Sequence, residues 1–221
     1  DALHACVSPS GMSYLEYPIR SQNDAAEFLG KIVDTLGEDM KGSKAAANLK
    51  DLLTSTKVVE KQCLECKTVS HSAEDHAVLL SVTIETPELE KLGSLEQALE
   101  SAAKPEILSG TNAVDCDKCG KKCPTSRSSL AKKLPRVLLV HLTRFVQNMY
   151  GEYHKANHRV TFPQRLDMRP YTTTSTDRDI SEPPAWYELA GVVLHSGTQR
   201  AGHYTSLVKH NGHWITFDDQ H

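Results

Sequence analysis

The sequence lacks the features that mark membrane, secreted and nucleic-acid-binding proteins. It has no apolar run of the about 18 residues that a membrane-spanning helix needs, and no charged N-terminal segment followed by an apolar one. Its formal net charge is −3 and no block of basic residues stands out. Because nucleic-acid binding depends on concentrated positive charge, we expect no nucleic acid and no membrane among its partners. The chain begins with Asp1 rather than Met, so we expect a fragment or a processed piece.

Cysteine is also too scarce for a disulfide scaffold, with six residues in 221. Four of them form two Cys-x-x-Cys pairs, Cys63 with Cys66 and Cys116 with Cys119. Four thiolates suit a closed tetrahedral Zn²⁺ site, which stabilises a fold rather than catalysing a reaction. Redox chemistry at one pair and four unrelated buried thiols are the alternatives. Cys123 could replace Cys119 as a ligand, although the Cys-x-x-Cys geometry favours Cys119. We predict structural zinc and an intracellular location, in the cytoplasm, the nucleus or both.

The remaining composition is that of an ordinary globular protein. The chain is 39% hydrophobic and 24% charged, and its length suits one large domain or two small ones. Hydrophobic periodicity predicts a helix over 21–36, with Ser21 as N-cap and Asp24 in the capping-box position. The small polar stretch 37–47 is interpreted as a loop. Ser94, with Gln97 three residues later, predicts a short helix that reaches about Ser101.

Strands are predicted at several places from residue 79 onwards. Residues 79–84 alternate like a half-buried strand, and the continuous apolar run 137–142 is typical of a buried one. The segment 172–184 is rich in Thr, Ser, Asp and Pro, which indicates an exposed insertion. An antiparallel meander is predicted to follow, with strands at 187–194, 203–209 and 213–217.

The last two of these strands are joined by Asn211-Gly212, a strong signal for a two-residue hairpin turn. In the register that this turn sets, His203 and Asp218 lie diagonally on one face of the sheet. Diagonal residues are about 7–8 Å apart at the backbone, within reach of a hydrogen bond between imidazole and carboxylate. Asp219 points to the opposite face, although one β-bulge would reverse the parity and favour Asp219.

A histidine oriented by a carboxylate is two of the three parts of a nucleophilic triad. The alternative is that both residues are surface side chains without a function. Cys6 lies in a Ser-, Pro- and Gly-rich stretch that leads into no helix, so we do not expect it to be the nucleophile.

Four segments outside the cysteine pairs occur in an order that is known from one family. They are Gln-Asn-Asp-Ala-Ala-Glu-Phe-Leu at 22–29, Leu-Pro-Arg-Val-Leu-Leu-Val-His-Leu-Thr-Arg-Phe at 134–145, Phe-Pro-Gln-Arg-Leu-Asp at 162–167, and the histidine-containing segment 187–217. Together with the cysteine pairs they resemble the ubiquitin-specific protease family of papain-like cysteine peptidases. The resemblance covers nearly the whole chain and is strongest to the large multidomain members.

The resemblance implies an α+β fold of the papain-like palm, thumb and fingers type. The palm would be an antiparallel β-sheet, and the β fingers would be pinned by the zinc ion. The expected division is a thumb remnant at 1–50 that includes the helix 21–36, fingers at 51–130, and a palm at 131–221 with the insertion near 172–184.

The function that the resemblance implies is hydrolysis of the bond after the C-terminal Gly-Gly of ubiquitin. The partners would then be ubiquitin and ubiquitinated proteins, with flanking domains of a larger protein. The implied catalytic residues are His203 as general base, Asp218 as its orienting partner and Asp219 as a secondary polar residue. The residues implied to contact the ubiquitin tail are Gln22, Asp24 and Tyr204. Helix capping remains the alternative role for Gln22 and Asp24.

The chain departs from the family pattern in two places. The cysteine box, of the type Gly-x-x-Asn-x-Gly-x-x-Cys, should precede Gln22 by many tens of residues, and nothing around Cys6 matches it. The chain also stops at His221, where the family usually has at least one more strand. We therefore expect a partial domain that is inactive alone, because acyl transfer needs the thiolate. A catalytically inactive ubiquitin-binding scaffold is the alternative function.

Overall fold

The structure is a computed structural model that describes residues 24–86, 88–173, 185–198 and 201–219. Its helices are α1 (Ala25–Asp39), α2 (Lys44–Leu53) and α3 (Leu95–Ala103), with short 3-10 helices at Gly110–Asn112 and Arg169–Tyr171. Its strands are β1 (Ser55–Cys63), β2 (Val69–His71), β3 (Asp75–Ala77), β4 (Leu79–Thr83), β5 (Glu106–Leu108), β6 (Val114–Cys116), β7 (Lys121–Cys123), β8 (Thr125–Lys133), β9 (Leu139–Thr143), β10 (Phe145–Gln147), β11 (Tyr153–Lys155), β12 (Arg165–Asp167), β13 (Trp186–Glu188), β14 (Gly191–Gly197), β15 (Gly202–His210) and β16 (His213–Phe217). The predicted mixture of helices and mainly antiparallel strands is confirmed.

The first helix starts later than predicted because Asp24, not Ser21, is its N-cap. Asp24 Oδ1 accepts the backbone N–H groups of Ala26 at 2.8 Å and Glu27 at 2.9 Å. A carboxylate satisfies the free N–H groups of a first turn and also interacts favourably with the helix dipole. Ser21 lies outside the described residues.

The prediction of a loop over 37–47 is wrong. Helix α1 continues to Asp39, and α2 begins at Lys44 with Ser43 as its N-cap. Ser43 Oγ accepts the N–H of Ala46 at 3.2 Å. Small residues suggested a loop, but three consecutive alanines are strong helix formers once a serine caps them.

A five-stranded antiparallel sheet is centred on the long strands β1 and β8. Their pairing runs from Thr56 opposite Lys133 to Cys63 opposite Thr125. Strands β2 and β3 pair with the other edge of β1, and β5 pairs with β8. The sheet therefore carries Cys63 to its far end, next to the β6–β7 hairpin that follows in sequence.

The predicted strand at 79–84 is confirmed as β4, and it pairs in parallel with β9. The expectation of antiparallel strands therefore has one exception. The strand predicted at 137–142 begins two residues later and is half-buried along its length rather than fully buried.

The meander is confirmed, but its first strand is divided in two. Tyr187 belongs to β13, where it faces Leu166 of β12, and β14 begins only at Gly191. The Tyr187 hydroxyl donates to Pro135 O at 2.5 Å, and the side chain packs against the hydrophobic core. Of the predicted insertion 172–184, residues 174–184 lie outside the described part of the chain.

The hydrophobic core lies between α3 and the strands around it. Helix α3 forms as its capping signal predicts, with Ser94 Oγ accepting the N–H of Gln97 at 3.2 Å. The buried members of the core are Val82, Ile84, Leu95, Ala98, Leu99, Ala156, Val160, Leu166, Met168 and Tyr171.

Within the described residues, no helix has the length and apolarity to cross a membrane.

We predict that Ile84→Ala lowers the free energy of unfolding by about 2–5 kcal/mol, because Ile84 is 0% exposed and its loss leaves a cavity. The matched control is Ile107→Ala on the edge strand β5, where the side chain is 55% exposed and the expected loss is about 0.5 kcal/mol. Urea unfolding of both variants measures the difference. Equal losses would contradict a core that is centred on Ile84.

Candidate active site and metal centre

The β15–β16 hairpin turns at Asn211 and Gly212, as predicted. Their φ angles are 49° and 82°, both positive, as a type I′ turn requires. His210 faces His213, and the same register continues to Ser206 opposite Phe217. The turn therefore fixes which side chains of the two strands share a face.

His203 and Asp218 are in contact across this hairpin. His203 Nε2 lies 2.5 Å from Asp218 Oδ1, and the two side chains are about half exposed. Because a carboxylate only accepts, Nε2 carries the hydrogen and donates it. Nδ1 has no hydrogen-bond partner within the described part of the chain, so it is available to a further group.

The electrostatics of the pair favour a charged imidazole. Hydrogen bonding to Asp218 raises the pKa of His203 above its ordinary value, and the negative charge of Asp218 adds to that increase. Desolvation opposes the increase, and the charge of Asp219 contributes the smallest part of it. A histidine held in this way can keep or exchange a proton near neutral pH.

Asp219 lies beside the pair and not on the opposite face of the sheet as predicted, because ligand atoms of His203, Asp218 and Asp219 are all within 4.8 Å of one another. The regular pairing ends at Phe217, and Asp219 has a φ of 50°. The chain thus leaves the strand conformation directly after Asp218. All three side chains are exposed, so the cluster by itself indicates no metal site.

Two of the three residues predicted to contact the ubiquitin tail are described. Tyr204 lies on the face of β15 opposite His203, and its ring centroid is 4.6 Å from that of His195. Asp24 makes the helix-capping bonds of the alternative interpretation. Its negative charge also opposes the lowering of the pKa of His195, which is caused mainly by burial. Gln22 lies outside the described residues.

Sequence reasoning missed two residues of this region, His195 and Lys155. Lys155 Nζ contacts His195 Nδ1 at 3.0 Å, a pairing across 40 positions of sequence. Nothing local in the sequence indicates such a contact. The nearest signal is the Leu-His-Ser-Gly segment at 194–197, which places a histidine just before the turn that leads to His203.

The four cysteines of the two Cys-x-x-Cys pairs come together. The sulfur atoms of Cys63, Cys66, Cys116 and Cys119 are all within 4.8 Å of one another, with 4.0 Å between Cys63 and Cys119 and 3.6 Å between Cys66 and Cys116. Four ligands at the usual Zn–S distance of about 2.3 Å form a tetrahedron with edges of about 3.8 Å. The thiols therefore fit a zinc ion, and their binding of it stays a prediction.

The two pairs have the same backbone turn. Lys67 N–H donates to Cys63 O at 2.9 Å, and Gly120 N–H donates to Cys116 O at 2.8 Å. The donors have φ angles of 60° and 66°, so each turn closes through a left-handed residue just after its second cysteine. Each pair thus presents both sulfur atoms on one side of its turn.

Thiolates are the form that binds metal, and the surroundings of Cys66 favour it. Hydrogen bonding with the Thr68 side chain and backbone lowers the pKa of Cys66 to about 6.

Cys123 is fully buried, lies outside the four-sulfur cluster and donates to Lys121 O at 3.6 Å. The arrangement favours Cys119 over Cys123 as the fourth ligand.

The comparisons with known proteins agree on one family. The family model described as ubiquitin carboxyl-terminal hydrolase matches residues 6–221. Human ubiquitin carboxyl-terminal hydrolase 9Y is 33% identical over 91% of this chain and 9% of its own length. Human ubiquitin carboxyl-terminal hydrolase 24 is 29% identical over 92% of this chain and 9% of its own length. The probable ubiquitin carboxyl-terminal hydrolase FAF of Drosophila melanogaster is 33% identical over 91% of the chain and 8% of its own length.

A solved structure supports the same fold. The structure of the SAGA Ubp8/Sgf11/Sus1/Sgf73 DUB module bound to ubiquitin aldehyde matches with a TM-score of 0.75 and 27% identity, over 90% of this chain and 44% of that one. The chain thus spans less than a tenth of the curated relatives' length and under half of the solved chain.

We predict that Asp218→Asn lowers the pKa of His203 towards its ordinary value, because the variant removes both the charged acceptor and the nearest negative charge. Asp219→Asn is the matched control and should lower that pKa by less. Titration of the imidazole signals by NMR measures both shifts. A larger effect of Asp219→Asn would mean that Asp219 is the main partner.

We also predict that the purified chain contains about one zinc ion and that the double variant Cys63→Ser, Cys116→Ser loses both the metal and thermal stability. Cys123→Ala serves as the control, since it removes a buried thiol outside the cluster and should retain the metal. Elemental analysis and thermal unfolding measure the two effects. Unchanged metal content in the double variant would exclude these ligands.

Proposed function

Because the chain belongs to the ubiquitin carboxyl-terminal hydrolase family, we propose that it forms the fingers and most of the palm of a deubiquitinating cysteine peptidase. The reaction is hydrolysis of the bond that follows the C-terminal Gly-Gly of ubiquitin. The observation that carries the proposal is the 2.5 Å contact between His203 and Asp218. Ubiquitin and ubiquitinated proteins are the proposed partners, and an intracellular location agrees with a cluster of reduced cysteines.

In this mechanism His203 is the general base and Asp218 orients it. Nε2–H of His203 points to Asp218, so Nδ1 faces the reacting thiol and takes its proton. The resulting thiolate attacks the carbonyl carbon of the last glycine, and the imidazolium returns the proton to the leaving amine. Water, activated by the same imidazole, then releases ubiquitin from the thioester. Asp218 remains ionised throughout and stabilises the imidazolium.

We propose that the nucleophilic thiol of this mechanism is none of the six cysteines in these 221 residues. The four clustered cysteines have their proposed role in zinc binding, Cys123 is fully buried, and Cys6 does not resemble the cysteine box. We propose that the thiol comes from another segment of the complete enzyme. Flanking domains agree with the small share of the relatives' length that the chain spans.

The remaining predicted residues act on the substrate and the fold. Asp219 adds negative charge beside the imidazole, and Tyr204, the next residue of β15, packs on His195 at the opposite face of the sheet. Gln22, Asp24 and Tyr204 are proposed to contact the ubiquitin tail, with Asp24 keeping its capping role at the start of α1. A zinc ion bound by the four cysteines would supply structural stability and no catalysis, because four thiolates leave no open coordination position.

We predict that the enzyme, purified at full length, cleaves a fluorogenic ubiquitin C-terminal amide and that His203→Ala lowers kcat/KM by at least about 10²-fold, the low end for a lost general base. The 221-residue chain alone should show no turnover. His213→Ala, in the same hairpin but away from Asp218, is the matched control and should stay near wild type.

Ubiquitin binding by calorimetry separates the alternative function. A full-length protein that binds ubiquitin without turnover would be a catalytically inactive scaffold. Turnover by the 221-residue chain that is lost with Cys6→Ala would instead make Cys6 the nucleophile. A loss much below the expected size with His203→Ala would leave His203 a structural residue.

A further inference from the structure

Lys155, at the end of β11, uses its ammonium group in an unusual way. Its Nζ lies 2.8 Å from Gly197 O, 3.2 Å from His195 O and 3.0 Å from His195 Nδ1. An ammonium group has three hydrogens, so these three acceptors satisfy it completely. Lys155 makes no salt bridge within the described residues, and its charge is thus directed entirely at the end of β14.

The acceptors lie where β14 ends and the connection to β15 begins. Gly197 is the last residue of β14 and faces Gly202, the first of β15. A Cβ at Gly202 would overlap the His195 ring and the Ser196 carbonyl, so only glycine fits there. The His195 ring therefore lies against the residue that directly precedes His203.

The ring of His195 is held from three sides. Phe145 is the cross-strand neighbour of Lys155, and its ring centroid is 6.4 Å from that of His195. Tyr204 faces His195 across the β14–β15 pair, with centroids 4.6 Å apart. Since Lys155 donates to Nδ1, His195 is a neutral imidazole with its hydrogen on Nε2. Burial lowers the pKa of His195, and the charge of Lys155 lowers it further, against the effect of Asp24.

Strand β11 itself is fixed on its other face. His154 points away from Lys155, because side chains alternate along a strand. Its Nε2 lies 2.5 Å from Oε1 of Glu85, a carboxylate that is only 4% exposed. The carboxylate is anchored beside the hydrophobic core, next to Ile84. The ammonium of Lys155 is therefore carried by a strand with little freedom to move.

We propose that Lys155 is a positioning residue for the reaction, one that acts through His195 and the end of β14 to fix the start of β15 and so the place of His203. The expected effect of Lys155 on kcat rests on the proposed function, since it requires a reaction in which His203 takes part. Lys155 touches neither His203 nor Asp218, and its effect reaches His203 through Gly202 and Tyr204, the two neighbours of His203 in sequence.

The test compares Lys155→Met with Lys155→Arg in the full-length enzyme, using the fluorogenic ubiquitin amide. Lys155→Met removes all three donors, and kcat should fall about tenfold or more, because small displacements of catalytic groups are costly. KM should change less than about twofold if the residue does not bind substrate. Lys155→Arg restores donors and charge and should recover part of kcat. The matched control is Lys209→Met on β15, whose exposed side chain should leave kcat unchanged.

Several kinetic outcomes would overturn the proposal. They are a wild-type kcat in Lys155→Met, a loss that appears only in KM, an equal loss in Lys209→Met, or a loss matched by a fall in the folded fraction at the assay temperature. Thermal unfolding of each variant supplies that last comparison.

A second measurement does not depend on activity. In the 221-residue chain, ¹⁵N NMR of the imidazoles should show His195 with its hydrogen on Nε2, and Lys155→Met should shift it towards a mixture of tautomers and move the His203 signals. Unchanged His195 and His203 signals would overturn the positioning role. If wild-type turnover is absent or does not depend on His203, the proposed function fails, and these NMR signals still decide the role of Lys155.

Discussion

The candidate active site depends on the two-residue turn at Asn211 and Gly212. Side chains of a strand alternate between faces, so a slip of one residue in this hairpin would move His203 and Asp218 to opposite faces. Both turn residues have positive φ, and a Cβ at Gly212 would meet no atom within 4 Å. Gly212 is therefore required by backbone conformation alone, whereas Gly202, at the other end of β15, is required by the closeness of His195.

The accuracy of the sequence-based predictions follows the range of the interactions involved. The turn, the register and the contact between His203 and Asp218 could be predicted because a hairpin is local. The start of α1 was misplaced because two residues, Ser21 and Asp24, both suit an N-cap, and the structure uses the acid. The first strand of the meander was predicted as continuous because nothing local indicates that Tyr187 bonds to Pro135. His195 and Lys155 were missed for the same reason, since 40 residues separate them.

The cysteine cluster could be predicted from ligand chemistry without knowledge of the path between the pairs. That path, residues 67–115, runs through β2, β3, β4, α3 and β5, and β6 then brings Cys116 close to Cys63 at the end of β1. The sheet that contains β1 has little hydrophobic core at its Cys63 end, because β2, which pairs with residues 60–62 of β1, is exposed throughout. The main core cluster contains no residue from β1 or from the β6–β7 hairpin. Metal binding by four thiolates supplies folding free energy where apolar burial is small, which explains why a domain of this size would use zinc.

The raised pKa of His203 has a specific meaning for a cysteine peptidase. On its own, a base with a raised pKa is protonated over more of the neutral range and removes protons less often. A neighbouring thiol changes this, because an imidazolium lowers the pKa of the thiol and stabilises a thiolate–imidazolium pair. The proton has then already moved before the substrate binds, and the thiolate is ready to attack. The hydrogen bond that His203 donates to Asp218 therefore serves the proposed reaction by keeping the imidazole charged and oriented, with Nδ1 towards the thiol. The fixed position of β15 becomes important for the same reason, since an ion pair of this kind requires both groups within hydrogen-bond distance throughout the resting state.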